Sequence, residues 1–238
     1  MKQVSMLYSL KAFWILLFVC FLTCATAVAQ EYKYEIGGGI GTSMYMGDAN
    51  QGNFVQGLQP SFELVFRKNI DFRWAAKADL LMGTVSGDTQ KQSSVFPNGA
   101  QTSFKRNFYE LGGQMEFHFF PYSDKFPFLG TKKIAPYLFA GFGLTYAPGD
   151  DRNFFGMNIP MGIGVKYKIK NRVNLGVEYG VRKLLSDDFD APNSMGFNLD
   201  NPYNVLSGWA KNNDWYSVLA FTITWDFGSN SKNCPNPE

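Results

Sequence analysis

The side chains that most enzymes and metal sites depend on are scarce in this chain. Its 238 residues include one histidine and three cysteines, and 22 Lys and Arg nearly cancel 20 Asp and Glu. That balance, with no basic cluster, gives no footing for a nucleic-acid partner. No G-x-S-x-G, phosphate loop or metal-ligand cluster occurs, so no catalytic residue, cofactor, metal or small-molecule substrate is assigned.

Long apolar runs are scarce too. The run from Ala12 to Cys24 follows Lys2 and Lys11 and precedes Ala27-Val28-Ala29. A basic start, a short apolar run and a small-x-small site make a secretory signal, so residues 1–29 are expected to leave by cleavage between Ala29 and Gln30. The run falls short of the roughly 20 residues that a membrane-spanning helix needs. Phe21-Leu22-Thr23 before Cys24 is a poor lipid-attachment box. Cys20 and Cys24 leave with the signal, and Cys234 alone remains. The mature chain then has no internal disulfide or cysteine metal site, and a lone thiol in an oxidising compartment has only another chain to pair with.

What the chain does have is aromatic residues, at 17%, and 24 glycines. They fall in alternating patterns. Met157, Ile159, Met161, Ile163, Val165, Tyr167 and Ile169 share one parity, and Asn158, Pro160, Gly162, Gly164, Lys166 and Lys168 the other. After Lys170-Asn171-Arg172 the pattern restarts, with Val173, Leu175, Val177, Tyr179 and Val181 against Asn174, Gly176, Glu178, Gly180 and Arg182. A period of two gives each strand one apolar and one polar face. Soluble strands cluster near 5–6 residues. Alternation over about ten is the length of a tilted membrane strand.

The same pattern recurs along the chain. The first strand, Tyr32 to Met46, points Tyr34, Ile36, Ile40, Met44 and Met46 at lipid, with Glu35, Gly37, Gly39, Gly41 and Tyr45 inward. The second, Pro60 to Arg67, sets Phe62, Leu64 and Phe66 against Glu63, Val65 and Arg67. The third, Phe72 to Thr84, sets Trp74, Ala76, Ala78, Leu80 and Met82 against Arg73, Lys77 and Asp79. The fourth, Asn107 to Phe119, sets Tyr109, Leu111, Met115, Phe117 and Phe119 against Glu110, Gly112, Gln114, Glu116 and His118. The fifth, Pro136 to Tyr146, is the least clean, because Tyr137 and Phe139 sit beside Gly141 and Gly143. Two strands from the organising hairpin and an eighth, Trp215 to Phe227, complete an even set.

The expected fold is therefore all-β: an eight-stranded antiparallel transmembrane β-barrel of the outer membrane, spanning residues 30–228. Residues 229–238 form a periplasmic tail. Closure removes the sheet edges, whose bare backbone groups would cost several kcal/mol each in hydrocarbon. Tight links follow the second and sixth strands, and longer ones the first, third, fifth and seventh, which places both termini in the periplasm. Tyr122 to Ala135, carrying Phe126, Phe128 and Leu129, is a long link on the periplasmic side.

An eight-strand barrel leaves an interior only wide enough for side chains. Glu35, Glu63, Asp79, Glu110, Glu116 and Glu178 are expected to pair there with Arg67, Arg73, Lys77, Lys166 and Arg182, beside His118. Inward glycines would make room for them. The lumen is expected to be plugged, with His118 a polar filler rather than a catalytic base. Gly47-Asp48-Ala49-Asn50, Asp150-Asp151 and Asp187-Asp188-Phe189-Asp190 read as turn and loop chemistry.

Several segments together resemble the PorG-like outer-membrane component of the type IX secretion system of Bacteroidota. They are Glu35-Ile36-Gly37-Gly38-Gly39 with Tyr45-Met46-Gly47-Asp48, Tyr109-Glu110-Leu111 through Glu116-Phe117-His118-Phe119-Phe120-Pro121-Tyr122, and Pro136-Tyr137-Leu138-Phe139-Ala140-Gly141. Ile159-Pro160-Met161-Gly162-Ile163-Gly164-Val165-Lys166-Tyr167-Lys168, Glu178-Tyr179-Gly180-Val181-Arg182 and Cys234-Pro235 complete the set. The chain departs from that family at Ser186-Asp187-Asp188-Phe189-Asp190-Ala191. The resemblance implies a non-enzymatic accessory subunit, with outer-membrane lipids around it. Its protein partners would be a periplasmic ring formed by a lipoprotein and its partner, met through Phe126, Phe128, Leu129 and Cys234. The competing expectation is a small barrel acting alone, as an anchor, adhesin or weak solute channel.

Overall fold

The computed structural model describes residues 32–46, 57–88, 103–123, 128, 130–149, 153–170, 172–186, 189 and 214–229. Ala29, Gln30, Phe126, Leu129 and Cys234 lie outside them, as do the signal and the tail.

Eight strands follow one another in order: β1 (Tyr32–Met46), β2 (Gln59–Asn69), β3 (Trp74–Asp88), β4 (Ser103–His118), β5 (Ile134–Ala147), β6 (Phe154–Lys170), β7 (Val173–Leu184) and β8 (Trp215–Ser229). Each pairs antiparallel with its chain neighbours, and β1 closes the ring on β8 from Tyr32 opposite Ser229 to Met46 opposite Trp215. The all-β barrel expected from the alternation is the fold observed. Two irregularities have local causes. The β5–β6 register lapses between Ala140–Met161 and Gly143–Asn158, where Pro160 lacks an N–H to give the ladder. The β6–β7 register shifts by one between Lys168 and Lys170, just before the tight turn.

Burial runs inside out relative to a water-soluble barrel. Ile40, Phe142, Phe155 and Ile163 are more than half exposed on the outer face, while Glu35, Glu110, Glu116, Lys77 and Arg182 are almost wholly buried within. The exposed charged residues of the strands, Lys33, Lys68, Lys105 and Lys170, sit near strand ends. A continuous apolar belt of this extent in water would forfeit about 1.5–3 kcal/mol for each large side chain left unburied. In hydrocarbon it costs nothing. The barrel is built to span a membrane.

The sequence expectations need two corrections. Arg73 is exposed in the β2–β3 turn, not inward, because the third strand begins only at Trp74. Met44 has the lipid-facing parity but is buried, 6% exposed, near the end of β1.

Candidate functional site

Among the described residues the lumen gathers the buried ionisable side chains, and it is organised in tiers. At the end that carries the chain termini, Lys168 Nζ donates to Asp226 at 2.7 Å and Asn174 Nδ2 donates to the other Asp226 oxygen at 2.7 Å. Tyr122, from the link after β4, closes this end, its hydroxyl donating to Asn174 Oδ1 at 2.8 Å. The ammonium groups of Lys166 and Lys168 lie over its ring at 4.8 and 5.4 Å.

Glu35 governs the next tier. It accepts hydrogen bonds from Lys166 Nζ at 2.6 Å, Arg67 Nη1 at 2.7 Å, Asn69 Nδ2 at 3.0 Å and Thr224 Oγ1 at 3.2 Å. Arg67 also donates through Nε to Glu116 at 2.9 Å. His118 lies beside this tier, its Nδ1 3.1 Å from the Arg73 carbonyl and its ring packed between Tyr122 and Tyr137.

Above it, Lys77 Nζ donates to Glu63 at 3.1 Å and to Glu178 at 2.6 Å, and the Tyr137 hydroxyl donates to Glu178 at 2.8 Å. A fourth tier holds Asp79, which accepts from Gln114 Nε2 at 2.8 Å, and Glu110, which accepts from the Tyr216 hydroxyl and faces Arg182 Nε at 3.5 Å. Ion pairs in so dry a place recover their desolvation cost only when the remaining lone pairs are also satisfied, and the neutral donors Asn69, Thr224, Tyr137 and Tyr216 serve that need.

Glycine makes the tiers possible. A Cβ added at Gly164 would stand 2.3 Å from the Tyr137 ring, and one at Gly112 would stand 2.7 Å from the Asp79 carboxylate. Lumen diameter is fixed by strand number, so Tyr137 and Asp79 take their space from a bare neighbour on the next strand.

The far end is filled differently. Tyr45, Leu81, Val85, Phe104, Phe108, Phe154, Leu184, Phe189 and Tyr216 form an apolar cluster, with Phe189 stacked on Tyr216 at 5.6 Å. Arg106 fastens it by donating to the carbonyls of Phe189 at 2.9 Å, Ala147 at 2.8 Å and Pro148 at 3.2 Å. Sequence reasoning missed this plug. Phe108 has the inward parity of Glu110, and Phe154 that of Asn158, which is the signal available; Phe189 comes from a loop and gives none.

Of the residues assigned to the lumen from sequence, the structure brings together Glu35, Arg67, Lys166 and Glu116; Lys77, Glu63 and Glu178; and Glu110 with Arg182. Asp79 pairs with Gln114 instead of a cation, and Arg73 is outside altogether. Phe128 is 79% exposed at the terminus-bearing end. Among the described residues no group of three or more His, Cys, Asp or Glu is placed to hold a metal ion.

A family profile described as "Domain of unknown function (DUF6089)" matches residues 11–236. The chain belongs to the DUF6089 family. No curated protein matches its sequence. Solved structures similar to this family member include Ail, the attachment invasion locus protein of Yersinia pestis, in complex with the heparin analogue sucrose octasulfate, at 10% identity, TM-score 0.48, covering 83% of this chain and 100% of that one. Neisserial surface protein A matches at 12% identity and TM-score 0.47, covering 82% and 97%. OprG of Pseudomonas aeruginosa matches at 11% identity and TM-score 0.44, covering 84% and 98%. At these values the likeness carries no functional argument.

Proposed function

We propose that this barrel is a non-enzymatic outer-membrane subunit of the type IX protein secretion system, tying the periplasmic ring of a lipoprotein and its partner to the membrane. The observation that carries this reading is the filled lumen: among the described residues, four polar tiers and an aromatic plug leave no path for a polypeptide or a solute. A barrel so occupied works through its outside and its rims. The segment resemblance to PorG-like proteins supports the secretion assignment. In this reading the terminus-bearing end faces the periplasm and presents Phe128, with Phe126, Leu129 and Cys234, to the ring.

Affinity purification of the solubilised native complex tests it. Ring proteins should co-purify, and a disulfide-linked species should vanish from non-reducing gels in Cys234→Ser if that thiol joins the two. A barrel recovered alone from cells that assemble the ring would leave the stand-alone reading, as anchor or adhesin.

A further inference from the structure

We infer that the terminus-bearing rim is a cationic collar that binds the phosphates of anionic phospholipid headgroups. The inference needs the membrane placement of the barrel but not the secretion role. Lys33 at the start of β1, Lys68 near the end of β2, Arg73 in the β2–β3 turn, Lys132 and Lys133 before β5, and Lys170 and Arg172 around the β6–β7 turn are all exposed. At the opposite rim Lys105 is the exposed base among the described residues. Among the described residues, seven exposed bases thus gather at one rim.

None of the seven forms an ion pair among the described residues. Their polar neighbours are otherwise engaged: Asp71 Oδ1 accepts the backbone N–H groups of Arg73 and Trp74 at 2.6 and 2.7 Å. Arg172 donates to the Tyr32 hydroxyl at 3.4 Å, and Lys33 and Lys132 lie over the Tyr34 and Phe120 rings, contacts that bring no opposing formal charge and leave the seven cations unneutralised among the described residues.

Their position fixes the kind of ligand. Directly above the collar, on the lipid face, Tyr34, Phe66 and Phe227 form one aromatic cluster, with centroids 5.5–6.4 Å apart. Trp74, Phe117 and Phe119 form a second. Such girdles mark the boundary between hydrocarbon and headgroups. Lys68 continues the lipid-facing row Phe62, Leu64, Phe66, and Lys132 Nζ lies over the Phe120 ring at 3.9 Å. The Lys132 ammonium thus rests on an aromatic face at the girdle and Lys68 follows Phe66 on the same lipid-facing row, which sets both charges at the level of lipid phosphates.

The mature chain, in a Trp209→Phe, Trp215→Phe background that leaves Trp74 and Trp225 near the collar, tests this. It is inserted into bilayers of phosphatidylcholine and phosphatidylglycerol, and fluorescence quenching by brominated phosphatidylglycerol is compared with quenching by brominated phosphatidylcholine. The expected result is a preference for phosphatidylglycerol of about fivefold or more, weakened by salt. Lys68→Gln, Lys132→Gln and Lys133→Gln together should lower it clearly, with the remaining four bases holding a part of it, while Lys105→Gln leaves it unchanged. Lys68→Gln alone gives the same comparison if the triple variant does not insert.

No preference in the parent, or an undiminished one in the variants, overturns the collar. So does a variant that keeps its lipid preference but loses co-purifying protein, because the charges then meet a protein instead. Failure of the parent to insert at all, read from protease protection, would strike at the membrane placement itself and is a separate outcome.

Discussion

Lys77 and Glu178 meet at 2.6 Å in the middle of the barrel although 101 positions separate them in the chain, and the same ammonium reaches Glu63 at 3.1 Å. One cation thus serves two buried carboxylates. Replacing Lys77 by Met leaves both uncompensated, and breaking a buried pair in this way costs about 3–5 kcal/mol. Urea unfolding in lipid vesicles should show that loss for Lys77→Met. Adding Glu63→Leu and Glu178→Leu, with Tyr137→Phe to remove the hydroxyl that Glu178 accepts, should restore most of it, because an apolar tier of similar volume leaves no buried polar group unpaired.

Gly164 gives a second prediction. Its missing side chain is the space that the Tyr137 ring occupies, and Tyr137 is itself held by Glu178. Gly164→Leu should destabilise the barrel by about 1–3 kcal/mol through overpacking. Tyr137→Ala in the same chain should relieve much of that cost. If Gly164→Leu unfolds at the parental urea concentration, the packing account is wrong.

The outer face predicts its own depth. Leu64, which is 56% exposed opposite Gly38 and Leu80, lies mid-belt. Leu64→Arg should cost about 2–4 kcal/mol, and the same charge placed by Ile134→Arg at the rim-side start of β5 about 1 kcal/mol or less, because the penalty falls from the bilayer centre to its edge. Equal costs at the two positions would place the belt elsewhere.

At the far mouth, Arg106 holds the Phe189 carbonyl while the Phe189 ring stacks on Tyr216. In a Cys234→Ser background, Phe189→Cys should react slowly with a maleimide that does not cross membranes. Adding Arg106→Ala should speed that reaction at least several-fold, since three hydrogen bonds to carbonyls are lost with the guanidinium. Planar-bilayer recordings of the parent should show no steady current.

The strand plan is legible because alternation over ten or more positions suits little besides a membrane strand, and inward parity places Glu35, Arg67, Lys77 and Glu178 on one interior. Parity assigns a face, not a height or a partner. It therefore groups Asp79 with the cations, whereas Gln114, diagonal to it on β4 and opposite Lys77, offers it an amide. Periodicity also has no force where the chain is turning, and it misplaces Arg73 for that reason; Met44 keeps its regular pairing with Ser217 and is buried against its parity. The aromatic plug is hidden by the rule that inward means polar. The rule holds where water or ions would otherwise enter, but rings can stack on one another near the mouth.

The partners of Glu35 come from strands that are remote in sequence: Arg67 and Asn69 on β2, Lys166 on β6 and Thr224 on β8. A half-built sheet would present this carboxylate, Glu116 and the cations one at a time to lipid, with nothing across the way to answer them. The tier around Glu35 is complete only once β1, β2, β6 and β8 stand in one ring, so a partly paired sheet leaves these charges unmatched.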